Sequence, residues 1–382
     1  MKNQSAIISQ FWLFAVLLLP GATPGRDTRI DPADCRTLHL EDKNGRPVIG
    51  TEDIVPGPSG QTLYISAYDR RAVEREADNG AVVTQGGIYR ATLSSVVAGG
   101  HLQVETVIDS QAAGGPMRPH GIDVWSSARG ELYLAAINRL YRDKRRSERH
   151  DIIQTFFVDK QSGKADLMST LPEDGRLCSP NDLALASEQL VFISNDHGAC
   201  GGLEKMWEDT WGLSQSRLYA YQNGNYEPVG PAVAFANGVA LIRDQSGKIT
   251  NLALSATRDH RVMLFDTGDG DACFASVAPE ILELSAAPDN ITVTPDRELY
   301  VAAHPNLLRY ALYRAGLSGV KRAPSLVYRI HHNPVTGWQH AVVFEDDGGL
   351  ISGATVALAA NGQLIIGSAY DDHLLVCSLE AK

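Results

Sequence analysis

The chain is short of positive charge. Its 34 Lys and Arg stand against 45 Asp and Glu, a formal net charge of −11. Nucleic-acid binders need a basic footprint, so that class is excluded. Long apolar runs are also scarce: beyond residue 25 nothing is long and apolar enough to span a bilayer. No HExxH or CxxC pair occurs, which argues against zinc, and no Gly-x-Ser-x-Gly occurs, which removes a serine elbow. Gly (35) and Pro (18) are too few in 382 residues for a collagen-like or low-complexity chain. An apolar fraction of 44% is too high for extended disorder.

What is present begins at the N-terminus. Lys2 precedes an apolar stretch densest over Phe11–Pro20, followed by the small and turn residues GATPG. This is the three-part pattern of a secretory signal, too short for a firm transmembrane helix. Residues 1–25 are therefore expected to be a signal peptide, or an uncleaved N-terminal membrane anchor. The protein is expected to be secreted or periplasmic, with residues 26–382 as the folded domain. Five cysteines then lie in an oxidising compartment: Cys35, Cys178, Cys200, Cys273 and Cys377. A bond between Cys35 and Cys377 would close nearly the whole chain, as in a circular fold whose ends meet. Cys178 and Cys200 could form a second bond and Cys273 is left over, although spacing alone does not fix connectivity.

One short pattern recurs six times, a polar pair leading into an apolar–x–apolar strand. The copies are Glu52-Asp53-Ile54, His120-Gly121-Ile122, Asn181-Asp182-Leu183, Asn237-Gly238-Val239, Asp289-Asn290-Ile291 and Ala354-Thr355-Val356, spaced by 68, 61, 56, 52 and 65 positions. The second and fourth copies carry Gly, and the last opens with Ala. Each is followed by a second strand pattern, from TLYISA at Thr62 to QLIIGS at Gln363. A third follows in each unit, including RLYRD at Arg139 and LLRYALY at Leu307. No capped amphipathic helix of ordinary length is expected among them, apart from a short one around Leu203–Trp211. Six units of about 60 residues, each of three or four antiparallel strands, predict an all-β six-bladed propeller. Two packed sandwiches would explain neither the six-fold recurrence nor terminal cysteines that can meet.

If the first strand of each unit is innermost, the six pairs converge on the axis. The resulting ring is rich in carboxylate and carboxamide oxygens and has no thiolate, the donor chemistry of Ca²⁺. Crowded carboxylates without a cation would repel one another.

At these residues the sequence resembles the paraoxonase/arylesterase family of six-bladed, two-calcium propellers, from about Cys35 to Cys377. The matching stretches are GTEDI (50–54), PHGI (119–122), SPNDL and SNDHG (179–183, 194–198), FANGV (235–239), DNITV (289–293), HPN (304–306), and ATVA with LIIGS (354–357, 364–368). The resemblance implies a central calcium-binding tunnel, with a catalytic calcium held by Glu52, Asn181, Asn237, Asp289 and Asn290. It implies a structural calcium held by Asp53, Asp182 and the carbonyl of Ile122, and a Cys35–Cys377 disulfide closing the ends. It further implies hydrolysis of lactones and aryl or alkyl esters, with His120, or failing that His304, as general base. One departure stands out: where the family has a second histidine after an Asn in the next strand, this chain has Arg139 after Asn138. A cation near His120 would lower its pKa and favour the neutral imidazole that a base requires; alternatively, Arg139 points away or binds an anionic substrate. The partner expected is a small lactone or ester, and oligomeric state is left open. The alternatives are a gluconolactonase-like sugar lactonase and a non-catalytic, calcium-stabilised binding propeller.

Three weaker features complete the reading. The basic run Arg139–Arg149 reads as a solvated outer loop. Asn290-Ile291-Thr292 matches a glycosylation sequon, but a metal-lining Asn would be inaccessible. The Trp207–Trp211 segment could cover the channel mouth, form an amphipathic surface patch, or simply pack.

Overall fold

The computed structural model describes residues 29–144, 149–267, 278–316 and 319–379. The expected signal or anchor segment 1–25 and Cys273 lie outside the described residues. Six antiparallel sheets are present, one for each sequence unit. Their first strands are Thr51–Pro56, Pro119–Ser126, Pro180–Ser187, Ala236–Arg243, Ala287–Val293 and Ala354–Ala360. Each of these packs against the first strand of the sheet before and after it, and the last packs on the first. The ring is closed, so this is the expected six-bladed propeller with the recurrent pairs on its innermost strands.

Short β-branched and aromatic strands build these blades because both faces of each sheet are covered. The strand Leu132–Tyr141 shows the arrangement. Leu134 and Ala136 enter a core shared with blade 1, while Ala135 and Ile137 enter one shared with blade 3. Six such apolar cores separate the six blades. The outermost strand of blade 2, Ala165–Thr170, buries only its first residue and faces solvent. The hairpin between the first two strands of blade 6 turns on Asn361-Gly362, both at positive φ (48° and 71°), as a two-residue turn of this type requires.

Blade 6 closes the ring. Its strands Gln363–Ser368 and Leu374–Ser378 are joined by Cys35–Glu41 from the chain start, with Cys35 directly opposite Cys377 in the register. The Cys35–Cys377 disulfide locks that seam, and Cys178 is bonded to Cys200. Gly100–Gln103 adds to Cys35–Glu41 in parallel and covers its outer edge.

Two of the expected third strands are something else. RLYRD is the tail of the second strand of blade 2, whose third strand is Arg149–Val158. LLRYALY is a helix, Leu307–Arg314, whose N-terminal turn is capped by the Asn306 side chain; the third strand of blade 5 is Ser325–Asn333. A further helix follows the second strand of blade 1. Designating helices in chain order, α1 is Arg70–Asp78, α2 Leu93–Ala98, α3 Gly202–Trp211 and α4 Leu307–Arg314. The expectation that only α3 interrupts the strands is thus corrected. The α1 helix starts where Asp69 accepts the Ala72 N–H, and it buries Arg70, Val73 and Ala77 against the propeller.

Candidate active and metal site

A bulge falls at the polar pair of every innermost strand. The register shifts between Thr51 and Asp53, Pro119 and Ile122, Pro180 and Leu183, Ala236 and Val239, Pro288 and Ile291, and Ala354 and Val356. A bulge bends its strand and re-aims side chains, here at equivalent points around one axis. The two pairs that carry Gly are those where neighbouring strands come closest. A Cβ on Gly121 would lie 2.6 Å from the Asp182 Cα, and one on Gly238 would lie 2.5 Å from the Asp289 carbonyl oxygen. The weaker matches in the repeat are therefore steric requirements of the ring.

The structure brings Glu52, Asn237, Asp289 and Asn290 into one buried network. Asn237 Nδ2 donates to Asp289 Oδ1 at 2.7 Å, and Asn290 Nδ2 donates to the Glu52 carbonyl at 3.1 Å. Asn181, on the neighbouring innermost strand, donates Nδ2 to Asp196 Oδ2 at 3.3 Å. With the nitrogens so engaged, the side-chain oxygens of Asn181, Asn237 and Asn290 are buried without a partner. Three orphaned carboxamide oxygens beside the Glu52 carboxylate are a costly arrangement unless a ligand satisfies them, and their chemistry fits a calcium ion. Among the described residues, no three His, Cys, Asp or Glu side chains group to hold a metal. The set is instead mostly carboxamide.

Asp53 and Asp182 lie deeper. Asp53 accepts the backbone N–H groups of Ile54 and, from the next blade, Ile122; Asp182 does the same for Leu183 and Val239. Burial and the Glu52 charge push the Asp53 pKa well up, and burial and the Asp53 charge do the same to Asp182. Two mutually repelling buried carboxylates beside the Ile122 backbone are what a second cation would relieve.

His120 stands beside Glu52, its Nδ1 3.0 Å from Glu52 Oε2 and its Nε2 buried with no partner. Burial and the Arg139 charge bring the His120 pKa down to about 3, so the ring is neutral. Against its own burial, Glu52 is held at about 2 by His120, Arg70 and Arg139. His304 donates Nε2–H to Asp289 Oδ2 at 2.8 Å and stacks on Tyr310, with ring centroids 3.7 Å apart.

Sequence reasoning missed Arg70. It enters from α1 and donates Nη2 to His120 Nδ1 at 2.9 Å, 3.7 Å from Glu52 Oε2. The signal for it was Asp69 capping a run of helix formers straight after TLYISA. Arg139 is only 7% exposed, so this end of the basic run is not a solvated loop, whereas Arg142 is exposed and pairs with Glu173 at 3.3 Å. The Asp196–His197 pair, quoted only within a motif, links Asn181 to Asp209 of α3. Glu208 of α3 is buried and accepts the Gly198 and Ala199 N–H groups, while Leu203, Met206, Trp207 and Trp211 are exposed. The α3 segment is thus an apolar surface patch. Asn290 is 1% exposed, out of reach of glycosylation.

The class is thus a closed six-bladed propeller with buried oxygen donors and a neutral histidine at the openings of its innermost strands. The chain belongs to the arylesterase (paraoxonase) family: the Arylesterase family model matches residues 95–379. As a member it is a carboxylic-ester hydrolase. It is 26% identical to mouse (Mus musculus) serum paraoxonase/arylesterase 1 over 263 residues, covering 68% of each chain. To human (Homo sapiens) serum paraoxonase/lactonase 3 it is 22% identical over 264 residues, again 68% of each. In fold it is similar to the PQQ-bound aldose sugar dehydrogenase of Streptomyces coelicolor, with a TM-score of 0.50, 12% identity, and coverage of 87% of this chain and 94% of that one.

Proposed function

We propose that this protein is a secreted or periplasmic, calcium-dependent hydrolase of lactones and aryl or alkyl esters, made as a single propeller domain behind its N-terminal segment. The observation that carries this reading is the set of unpartnered oxygens, the amide oxygens of Asn181, Asn237 and Asn290, beside the Glu52 carboxylate. With Asp289, these residues would hold a catalytic calcium; Asp53, Asp182 and the Ile122 carbonyl would hold a structural one. Calcium at the first position supplies Lewis-acid polarisation of a bound carbonyl. The chain's own residues supply the rest. Glu52 is placed to accept the Nδ1 proton of His120, which leaves the buried Nε2 bare to take a proton from the attacking water. The new bond joins the water oxygen to the carbonyl carbon, the bond from that carbon to the alkoxide or phenoxide oxygen breaks, and the leaving oxygen takes the proton that His120 Nε2 accepted. Arg70 opposes this tautomer: when it donates to Nδ1, Nε2 carries the hydrogen and can only donate. Asp289 fixes the tautomer of His304, whose unpartnered Nδ1 makes it the second candidate base.

Phenyl acetate and a panel of lactones, assayed with calcium and after EGTA, test the proposal. Turnover lost on chelation and regained with calcium is the expected result. Turnover unaffected by EGTA refutes the metal reading, and calcium-dependent ligand binding without turnover on the whole panel favours a binding propeller.

A further inference from the structure

Two buried guanidinium groups enter this site with hydrogen-bonding capacity unused. Arg70 is 5% exposed and lies over the Tyr68 ring at 4.2 Å; its Nη2 serves His120, but its Nη1 is buried with no partner. Arg139 is 7% exposed, and its Nε is buried with no partner. Its neighbour Asn138 pairs with Pro119, the residue before His120, which places Arg139 at the same end of the channel, where its charge acts on both Glu52 and His120. Asp151 lies across the strand pair from Arg139 and its charge acts on it, but its Oδ2 is ion-paired with Arg149 at 3.1 Å, and its Oδ1 is buried with no hydrogen bond, so it does not satisfy the Arg139 Nε donor.

A buried, unsatisfied guanidinium donor costs stability unless a ligand completes it, and its planar fork suits an oxyanion. Lipophilic lactones and simple aryl esters offer no such group. We propose that Arg139, with Arg70 beside it, forms an anion-recognition subsite, and that the substrate is a lactone or ester bearing a carboxylate close to its scissile carbonyl. This deepens the hydrolase reading and rests on it for the word substrate; the anion subsite itself is tested without turnover.

The kinetic arm compares matched pairs: γ-butyrolactone with its γ-carboxylate, and phenyl acetate with 4-acetoxybenzoate. The wild type should favour the anionic member in kcat/KM. In Arg139→Met that ratio should fall about tenfold or more, mainly through KM, with Arg139→Lys recovering part of it. The binding arm titrates calcium-loaded protein with benzoate, benzyl alcohol and inorganic phosphate by calorimetry. Benzoate should bind the wild type, bind Arg139→Met at least about tenfold more weakly, and outcompete the other two. Selective benzoate binding without turnover would retain the subsite and sink the hydrolase reading. A wild type that prefers neutral substrates, phosphate bound in place of benzoate, or equal benzoate affinity in wild type, Lys and Met proteins would overturn the subsite. Thermal melts of both variants establish that they fold.

Discussion

At the scale of single residues, two histidines compete for one role and their neighbours separate them. His120 has Glu52 at its Nδ1, where Arg70 competes for the same nitrogen, and a free Nε2 at its tip. His304 spends its Nε2 on Asp289, a residue of the proposed calcium set. The first arrangement is that of a base oriented by a carboxylate; the second is that of a group holding a ligand in place. His120→Gln should therefore lower kcat by about 10²-fold or more with little change in KM. His304→Gln should act chiefly on the metal, raising the calcium concentration needed for half-maximal activity by about tenfold. Steady-state kinetics over a calcium series separates the two. If His304→Gln loses kcat at saturating calcium while His120→Gln does not, the roles are reversed.

At the scale of elements, the innermost strands decide the site. Their alternation of bulky and small second residues, Asp53, Gly121, Asp182, Gly238 and Asn290, lets adjacent strands close on the axis. Gly121→Ala would put a methyl group 2.6 Å from the Asp182 Cα and 2.7 Å from the Asn181 carbonyl, both backbone atoms that cannot yield cheaply. The expected cost is about 1–3 kcal/mol, seen as a lower midpoint of thermal melting, together with weakened calcium activation, because both neighbours belong to the metal set. Gly115→Ala, with nothing within 4 Å of the added carbon, is the control and should be near neutral. Equal melting of the two variants would refute the steric account. The six pairs were legible in the sequence because Glu52, Asn181, Asn237 and Asp289 recur in phase, each at the start of a short apolar strand. The bulges were not, since they depend on the second strand's register, which no single segment states. LLRYALY misled for a related reason: its apolar residues suit a strand or a one-sided helix, and only the Asn306 cap and distance from a partner strand decide. Arg70 stayed hidden because it reaches the axis from a helix outside the repeat.

At the scale of the whole molecule, the ring is held by six separate apolar interfaces, so its weak point is the seam where chain start meets chain end. Two devices close it: the hydrogen bonds between Cys35–Glu41 and Leu374–Ser378, and the Cys35–Cys377 bond between residues 342 positions apart. The Cys178–Cys200 bond spans only 22 positions and ties the approach to blade 3 to the segment before α3. Both bonds belong to an oxidising compartment. On the loop-entropy model, a cross-link constrains the unfolded chain in proportion to the logarithm of the loop it closes. Replacing Cys35 and Cys377 by Ser should then cost about 2 kcal/mol more than replacing Cys178 and Cys200. Urea unfolding of the two double-Ser proteins and the parent, all loaded with calcium, measures the difference. Because the seam strand keeps its hydrogen bonds, the Cys35/Cys377 variant should fold and stay active at 25 °C, yet expose its first strand to protease sooner than the parent. A larger loss on removing the short-range bond would mean that the structure around α3, rather than the closure of the ring, limits the stability of the propeller.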